Sequence, residues 1–270
     1  MSNNYWAERQ VRTQRAITNK TEKEINKQLI KYYKTAMVNV VGEFESTYNK
    51  LMATIAEGKE PTPADLYKLD KYWQMQSQLK KEAQKLGDKE IALLSKEFEK
   101  EWINVYESIS LPSGATFNTI STSGARVMIN DVWLADGKTF SARVWKNVNH
   151  LVETLNDNMI NCVVTGKKTT QLRDLLMHRF KVSRSQANAL VRTELAHIET
   201  EAARQRYEDY GLSQYEFLAD TDERTCKHHS ASCASLDGKR FYFSEMQAGR
   251  NAVPMHPFEG ALLFQLWNKE

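Results

Sequence analysis

The sequence has few of the residues that interrupt helices, and it has little cysteine. Its 270 residues include only 11 glycines and 5 prolines, whereas 26% of the chain is charged. This composition favours long, solvent-exposed helices over a β-sandwich or a β-barrel. The three cysteines are too few, and odd in number, for a disulfide framework. We therefore expect a reducing compartment.

The sequence also has no long apolar segment and no strong excess of one charge. It contains no run of eighteen apolar residues, so we expect no membrane span. The N-terminal stretch is charged but has no apolar region after it, so it is not predicted to be a secretory signal. The net charge of +3 is too small to indicate a nucleic-acid-binding protein by itself.

The first 110 residues show the periodicity of long amphipathic helices. Apolar residues recur every three or four positions, which predicts helices from Thr21 to about Gly58, from Thr62-Pro63 to Gly87, and over 91–109. Thr21 and Glu24 have the spacing of a capping box, and each glycine is predicted to end its helix. Short loops between long helices predict antiparallel packing in a bundle.

The second half of the chain combines helices with a small β element. Helices are predicted near 125–134, from Ser141 to Val164, and from a capping box at Ser183 to Tyr210, where Gly211 ends the last. The stretches SQYEFLAD and KRFYF have the composition and length of strands. The fold class is therefore mainly α, with an N-terminal long-helix bundle and a C-terminal small α+β module. The predicted domains are 1–110 (helical bundle), 111–124 (linker) and 125–270, which divides into helices 125–210 and the module 211–270.

The segment TDERTCKHHSASC, residues 221–233, concentrates groups that bind metals. Thiolate and imidazole are the ligands that zinc prefers, and Cys226, His229, Cys233 and His256 would complete a tetrahedral set. The sequence therefore offers a zinc hypothesis. The alternative is a reduced, partly buried loop without metal, in which His256 has a structural hydrogen bond.

The same segment raises the question of catalysis. Cys226 could act as a thiol nucleophile, and His228 and His229 with Glu223 are compatible with a metal-dependent nuclease or a toxin-like enzyme. Either reaction needs a base, an orienting group and an oxyanion or phosphate site, and the sequence does not display them together. We therefore expect no enzymatic activity and assign no catalytic residue.

Residues 167–192 form the most basic stretch of the chain. Seven basic residues against Asp174 alone give a local charge of +6. Six of them are candidate DNA contacts: Lys167, Lys168, Arg173, Arg179, Lys181 and Arg184. Such contacts would be independent of sequence and sensitive to salt. The same charges are equally compatible with a solvated helix face or with an acidic protein neighbour.

Short motifs occur in a characteristic order in the second half of the chain: LVRTE on a helix, a glycine that ends that helix, YEFLADTDERTC, LDGKRF and PMHP. This ordered set resembles the phage head morphogenesis proteins, the minor capsid proteins of the phage Mu F type. The matching residues are Arg192, Thr193, Glu194, Gly211, Asp222, Arg224, Thr225, Cys226, Leu236, Asp237, Gly238, Pro254, His256 and Pro257. Many relatives have Cys-x-x-Cys where Cys226 and Cys233 are seven apart here, and the usual final cysteine and arginine are absent.

The resemblance implies a structural role in the virion. Proteins of this kind are present in few copies, associate with the portal and other capsid proteins, and act in head assembly and in DNA packaging or delivery. Some bind DNA, so a sequence-independent DNA-binding protein remains an alternative function. The implied location is the capsid interior or the portal vertex, and the host cytoplasm during assembly. We further expect a structural network of ionic hydrogen bonds among Arg192, Glu194, Asp222, Arg224 and Asp237 that orders the 221–226 loop.

Overall fold

The computed structural model describes residues 3–54, 62–68, 70–109, 122–134, 136–219, 233–255 and 262–264. Its helices are α1 (Asn3–Thr54), α2 (Pro63–Tyr67), α3 (Asp70–Ser108), α4 (Thr122–Ile129), α5 (Phe140–Val164), α6 (Thr169–Asp209) and α7 (Cys233–Leu236). Its strands are β1 (Gln214–Leu218), β2 (Arg240–Tyr242) and β3 (Leu262–Phe264). The predicted fold class, mainly α with a small C-terminal α+β module, is confirmed. Among the described helices, none combines the length and apolar character needed to cross a membrane.

Three predicted helix boundaries in the first half are wrong: the start at Thr21, the end at Gly87 and the start of a separate helix at residue 91. The first helix begins at Asn3 and not at Thr21, whose buried hydroxyl donates a hydrogen bond to Glu101 instead of capping a helix. The helix predicted to end at Gly87 continues through it as α3. A Cβ at Gly87 would lie 2.5 Å from Cζ3 of Trp145 on α5. The glycine therefore serves the close approach of an indole ring and does not end the helix.

The start of the second predicted helix is confirmed, but that helix is divided. Thr62 precedes Pro63 at the start of α2, and its backbone N–H donates to the Asp65 carboxylate at 3.0 Å. The helix then ends at Tyr67, and α3 begins at Asp70.

In the second half of the chain, α6 is longer than predicted and α4 is shorter. α6 is continuous from Thr169 to Asp209, so the predicted start at Ser183 is wrong: Ser183 is buried in the interior of this helix. The end of α6 is confirmed, since Gly211 follows with a φ of 82°. The helix predicted at 125–134 is α4, which ends at Ile129.

The chain divides into two compact units that are not continuous in sequence. We call residues 26–92 and 142–188 the bundle unit, and residues 1–25, 93–141 and 189–270 the module unit. The bundle unit contains segments of α1, α3, α5 and α6. Each contributes apolar residues to its buried core, among them Leu29, Phe44, Met75, Leu79, Val148, Leu155, Leu172 and Phe180.

The module unit has a three-stranded antiparallel sheet in the order β2-β1-β3. Tyr215 and Phe217 on alternate positions of β1 are fully buried. They pack in an apolar cluster with Tyr207 of α6 and with Phe243 and Val253 beyond β2. The two stretches predicted as strands, SQYEFLAD and KRFYF, contain β1 and β2, which pair with each other. The long 220–232 connection between these strands lies outside the described residues.

Candidate functional site

The Arg-Thr-Glu motif lies on the part of α6 that belongs to the module unit, and its arginine contacts α1. Arg192 Nε donates to Glu22 Oε1 at 2.5 Å. The Arg192 side chain is 45% exposed, so screening by solvent limits the strength of this ion pair. The pair nevertheless connects α6 to the N-terminal part of α1 within the module unit.

Glu194 is buried and accepts a hydrogen bond from an aromatic side chain that no sequence motif indicates. The indole Nε1 of Trp133 donates to Glu194 Oε2 at 3.0 Å, and Glu194 is 3% exposed. The Trp133 ring also stacks on His197, one helical turn further along α6, with ring centroids 4.2 Å apart. A hydrogen bond to a buried carboxylate and a stacked ring fix the segment after α4 against α6.

Two further buried acids are Glu199, which lies further along α6, and Glu101 of α3. Glu101 of α3 is fully buried and accepts hydrogen bonds from the hydroxyls of Thr18 at 2.7 Å and Thr21 at 2.6 Å. Glu199 of α6 is also buried, and its Oε1 has no hydrogen-bond partner among the described residues. Burial and the neighbouring Glu101 raise the pKa of Glu199 to about 8, against the lowering effects of Thr18 and Arg15. Burial also raises the pKa of Glu101.

The positions of these two acids in the sequence indicate that they are buried, although the composition does not. Glu101 occupies a position of the apolar stripe that runs through Leu94, Phe98 and Val105. Glu199 follows Leu195 by four residues on the buried face of α6. A carboxylate at a core position of an amphipathic helix predicts a buried ionisable group, because its neighbours on the stripe are buried.

Asp237 of the LDG motif fixes the end of β1 from which the long connection leaves. Its Oδ1 accepts the backbone N–H of Ala219 at 2.9 Å. Gly238, with a φ of 72°, donates its N–H to the carbonyl of Phe217 at 2.8 Å. The positive φ explains why a glycine follows the aspartate, since an L side chain there would be strained. Asp237 therefore orders the backbone at the last described residue before 220–232.

The rest of the predicted network and most of the predicted zinc ligands lie outside the described residues. This applies to Asp222, Arg224, Cys226, His229 and His256, and also to the nuclease candidates Glu223 and His228. Cys233 begins α7, and nothing is described of its side chain. Within the described ranges, no group of three or more His, Cys, Asp or Glu side chains is arranged to hold a metal ion. The zinc site and the contact of Arg192 or Glu194 with the 221–226 loop stay predictions.

The six candidate DNA contacts differ in how accessible they are. Lys168, Arg173 and Lys181 are exposed, whereas Lys167, Arg179 and Arg184 are half-buried. Arg173 Nε donates to Glu45 Oε1 on α1 at 2.5 Å, which neutralises part of the positive surface. The backbone carbonyl of Lys167 accepts the hydroxyl hydrogen of Tyr48. The basic stretch is therefore partly used in contacts within the bundle unit.

Comparison with known proteins finds a family similarity in the C-terminal part of the chain. Residues 153–258 match the model of the family described as phage Mu protein F like protein. No curated protein sequence and no solved structure gives a significant match. The matched segment contains the Arg-Thr-Glu helix, the β1–β2 pair and the Leu-Asp-Gly turn, and extends through the predicted ligand His256. Residues 153–258 of this chain are therefore similar to the phage Mu protein F like family.

Proposed function

We propose that this chain is a structural minor capsid protein of a tailed phage that associates with the portal in head assembly and in DNA packaging or delivery. The observation that carries the proposal is the family match over residues 153–258. A role in head morphogenesis would make other capsid proteins the neighbours of this chain, and the portal is the proposed partner among them.

The arrangement of the Arg-Thr-Glu helix supports a structural role. Arg192 is paired with Glu22, and the buried Glu194 accepts a hydrogen bond from Trp133. Both charged groups of the motif are thus engaged in contacts that connect helices and loops of the module unit. A carboxylate that is 3% exposed is poorly placed to meet a substrate and well placed to fix a scaffold.

The experiment is co-expression of this chain with the portal protein of the same phage, followed by affinity purification through a tag on the portal. We expect the chain to co-purify in a stable complex that survives size-exclusion chromatography. An unrelated protein that carries the same tag is the control for non-specific association. A chain that is folded by circular dichroism but elutes alone in the portal experiment contradicts the proposed association.

Direct contact with DNA is the second candidate function, favoured by the exposure of Lys168 and Lys181. The test is a gel-shift titration of duplex DNA with the variant Lys168→Gln/Lys181→Gln. The control variant is Lys50→Gln/Lys80→Gln, which removes two exposed lysines elsewhere in the bundle unit. If DNA is contacted here, only the first variant weakens binding. For that variant, the slope of the logarithm of the binding constant against the logarithm of the salt concentration should also be smaller by about two. Equal binding by both variants would contradict this surface.

A further inference from the structure

The exposed face of α1 in the bundle unit carries a row of three lysines, and the nearest acid on the helix is Glu24, three residues before the first of them. Lys27, Lys31 and Lys34 are exposed, and the sequence contains no acidic residue between Glu24 and Glu43. At 100° per residue, the three lysines lie within a sector of about 60° on the helix surface. Like charges three and four residues apart destabilise a helix slightly, so the row lowers the intrinsic stability of α1.

Two lysines elsewhere in the bundle unit have acidic partners, unlike the lysines of the row. Lys71 Nζ lies 2.8 Å from Glu43, and Lys85 Nζ lies 2.6 Å from Glu82. In the described part of the chain, none of the three lysines in the row has an ion pair or a hydrogen bond through its side chain. The charge of the row is therefore uncompensated within the described residues of the bundle unit.

Two aliphatic side chains lie on the same face as the lysines. Ile30 is 49% exposed and Val38 is 59% exposed. Together with the lysines they occupy a sector of about 100°, opposite the buried stripe of α1. We call Lys27, Ile30, Lys31, Lys34 and Val38 the α1 lysine face.

We propose that the α1 lysine face docks an acidic, amphipathic helix of a protein partner. Charge complementarity requires an anionic partner. The lysines follow one another at axial steps of about 6 Å and 4.5 Å, which match acids at i, i+4 and i+7 of a partner helix. Apolar side chains of such a helix would cover Ile30 and Val38, whereas a phosphate backbone would leave them without a favourable contact. This interaction surface is additional to the proposed function and does not depend on it.

The test uses a synthetic, fluorescent 20-residue helical peptide as the probe, with glutamates at i, i+4 and i+7 and leucines between them. Its binding to the full chain is measured by fluorescence anisotropy. The variant Lys27→Glu/Lys31→Glu/Lys34→Glu is compared with Lys50→Glu/Lys80→Glu/Lys146→Glu, which makes the same change in net charge at exposed positions of the same unit. We expect the first variant to bind at least about tenfold more weakly, and the control less than about twofold more weakly.

A second variant separates a protein partner from DNA. Ile30→Ser/Val38→Ser keeps every charge and should weaken peptide binding about threefold or more, because it removes the apolar part of the contact. Equal peptide binding by the two lysine variants overturns the proposal. So does tighter binding of a 20-base-pair duplex that is lost in the Lys27/Lys31/Lys34 variant but kept in the serine variant. Dimerisation of the wild type that the same lysine variant abolishes would assign the face to a second copy and would also overturn it.

Discussion

The substitution Glu199→Gln tests the buried acidic cluster of the module unit. Glutamine has nearly the shape of glutamic acid but cannot ionise, so the variant retains the packing of α6 and removes one titrating group. The groups that act on Glu199 are Glu101 on α3 and Thr18 and Arg15 on α1.

The magnitude follows from the pKa of Glu199, which is raised by burial and by Glu101 from 4.5 to about 8. Between these two values the folded protein keeps a proton that the unfolded chain has released, so a rise in pH favours unfolding. The stabilisation is complete below pH 4.5 and is lost as the pH rises to about 8. One proton corresponds to a slope of about 1.4 kcal/mol per pH unit, or about 2.7 kcal/mol between pH 5.5 and pH 7.5.

The assay is urea unfolding of the full chain, followed by circular dichroism at pH 5.5, 6.5 and 7.5. Burial also raises the pKa of Glu101, and it raises the pKa of Glu90 to about 7. The free energy of unfolding of the wild type should therefore fall with pH more steeply than a single proton would produce. In Glu199→Gln we expect the slope of unfolding free energy against pH to fall by about 1.4 kcal/mol per unit. The control Glu24→Gln, at an exposed position of α1, should keep the wild-type slope.

Identical slopes for Glu199→Gln and the wild type would contradict a raised pKa of Glu199 in the folded protein. They would mean that Glu199 ionises at the same pH in the folded and unfolded states. A slope that becomes steeper in the variant would also refute it, because it would reverse the sign of the linkage.

Four further predictions concern packing, hydrogen bonding, the turn before β2 and the metal. Gly87→Ala should destabilise the bundle unit by about 1–3 kcal/mol in thermal unfolding despite the better helix propensity of alanine, and Trp145→Leu should remove most of that penalty. Trp133→Phe should cost about 1–3 kcal/mol in urea unfolding, because Glu194 loses a donor while buried; the same cost in a Glu194→Leu background would contradict this hydrogen bond. Asp237→Ala should accelerate amide exchange at the end of β1 measured by mass spectrometry, and unchanged exchange there would show that the Ala219 contact is unimportant. The cysteines and histidines of the 221–256 segment predict about one zinc ion per purified chain by elemental mass spectrometry, and folded protein without zinc would end that hypothesis.

The helical part of the fold is predictable from the sequence because burial of one face imposes a period of three to four residues. Glycine and capping patterns are less reliable in this chain. Gly87 resembles a helix end but makes room for Trp145, and Ser183 resembles a cap but is buried inside α6. In both cases the decisive contact comes from tertiary packing, which a local pattern does not contain.

The candidate site is only partly visible in the sequence. The motif match selects Arg192, Glu194 and Asp237, but not Trp133, because its hydrogen bond to Glu194 joins residues 61 positions apart. The sequence did not predict the strand Leu262–Phe264, which pairs with the other edge of β1. A three-residue strand depends on its partner for stability, and its sequence alone gives no clear signal.

We propose that this chain is a structural component of a phage head. The most direct test is to measure the amount of the chain in purified virions by quantitative mass spectrometry. Particles are purified on a density gradient, treated with protease to remove adhering proteins, and compared with heads from which DNA has been released. We expect the chain to be present in intact particles in a low, fixed ratio to the major capsid protein. Absence of the chain both from mature virions and from isolated assembly intermediates of the head would contradict it.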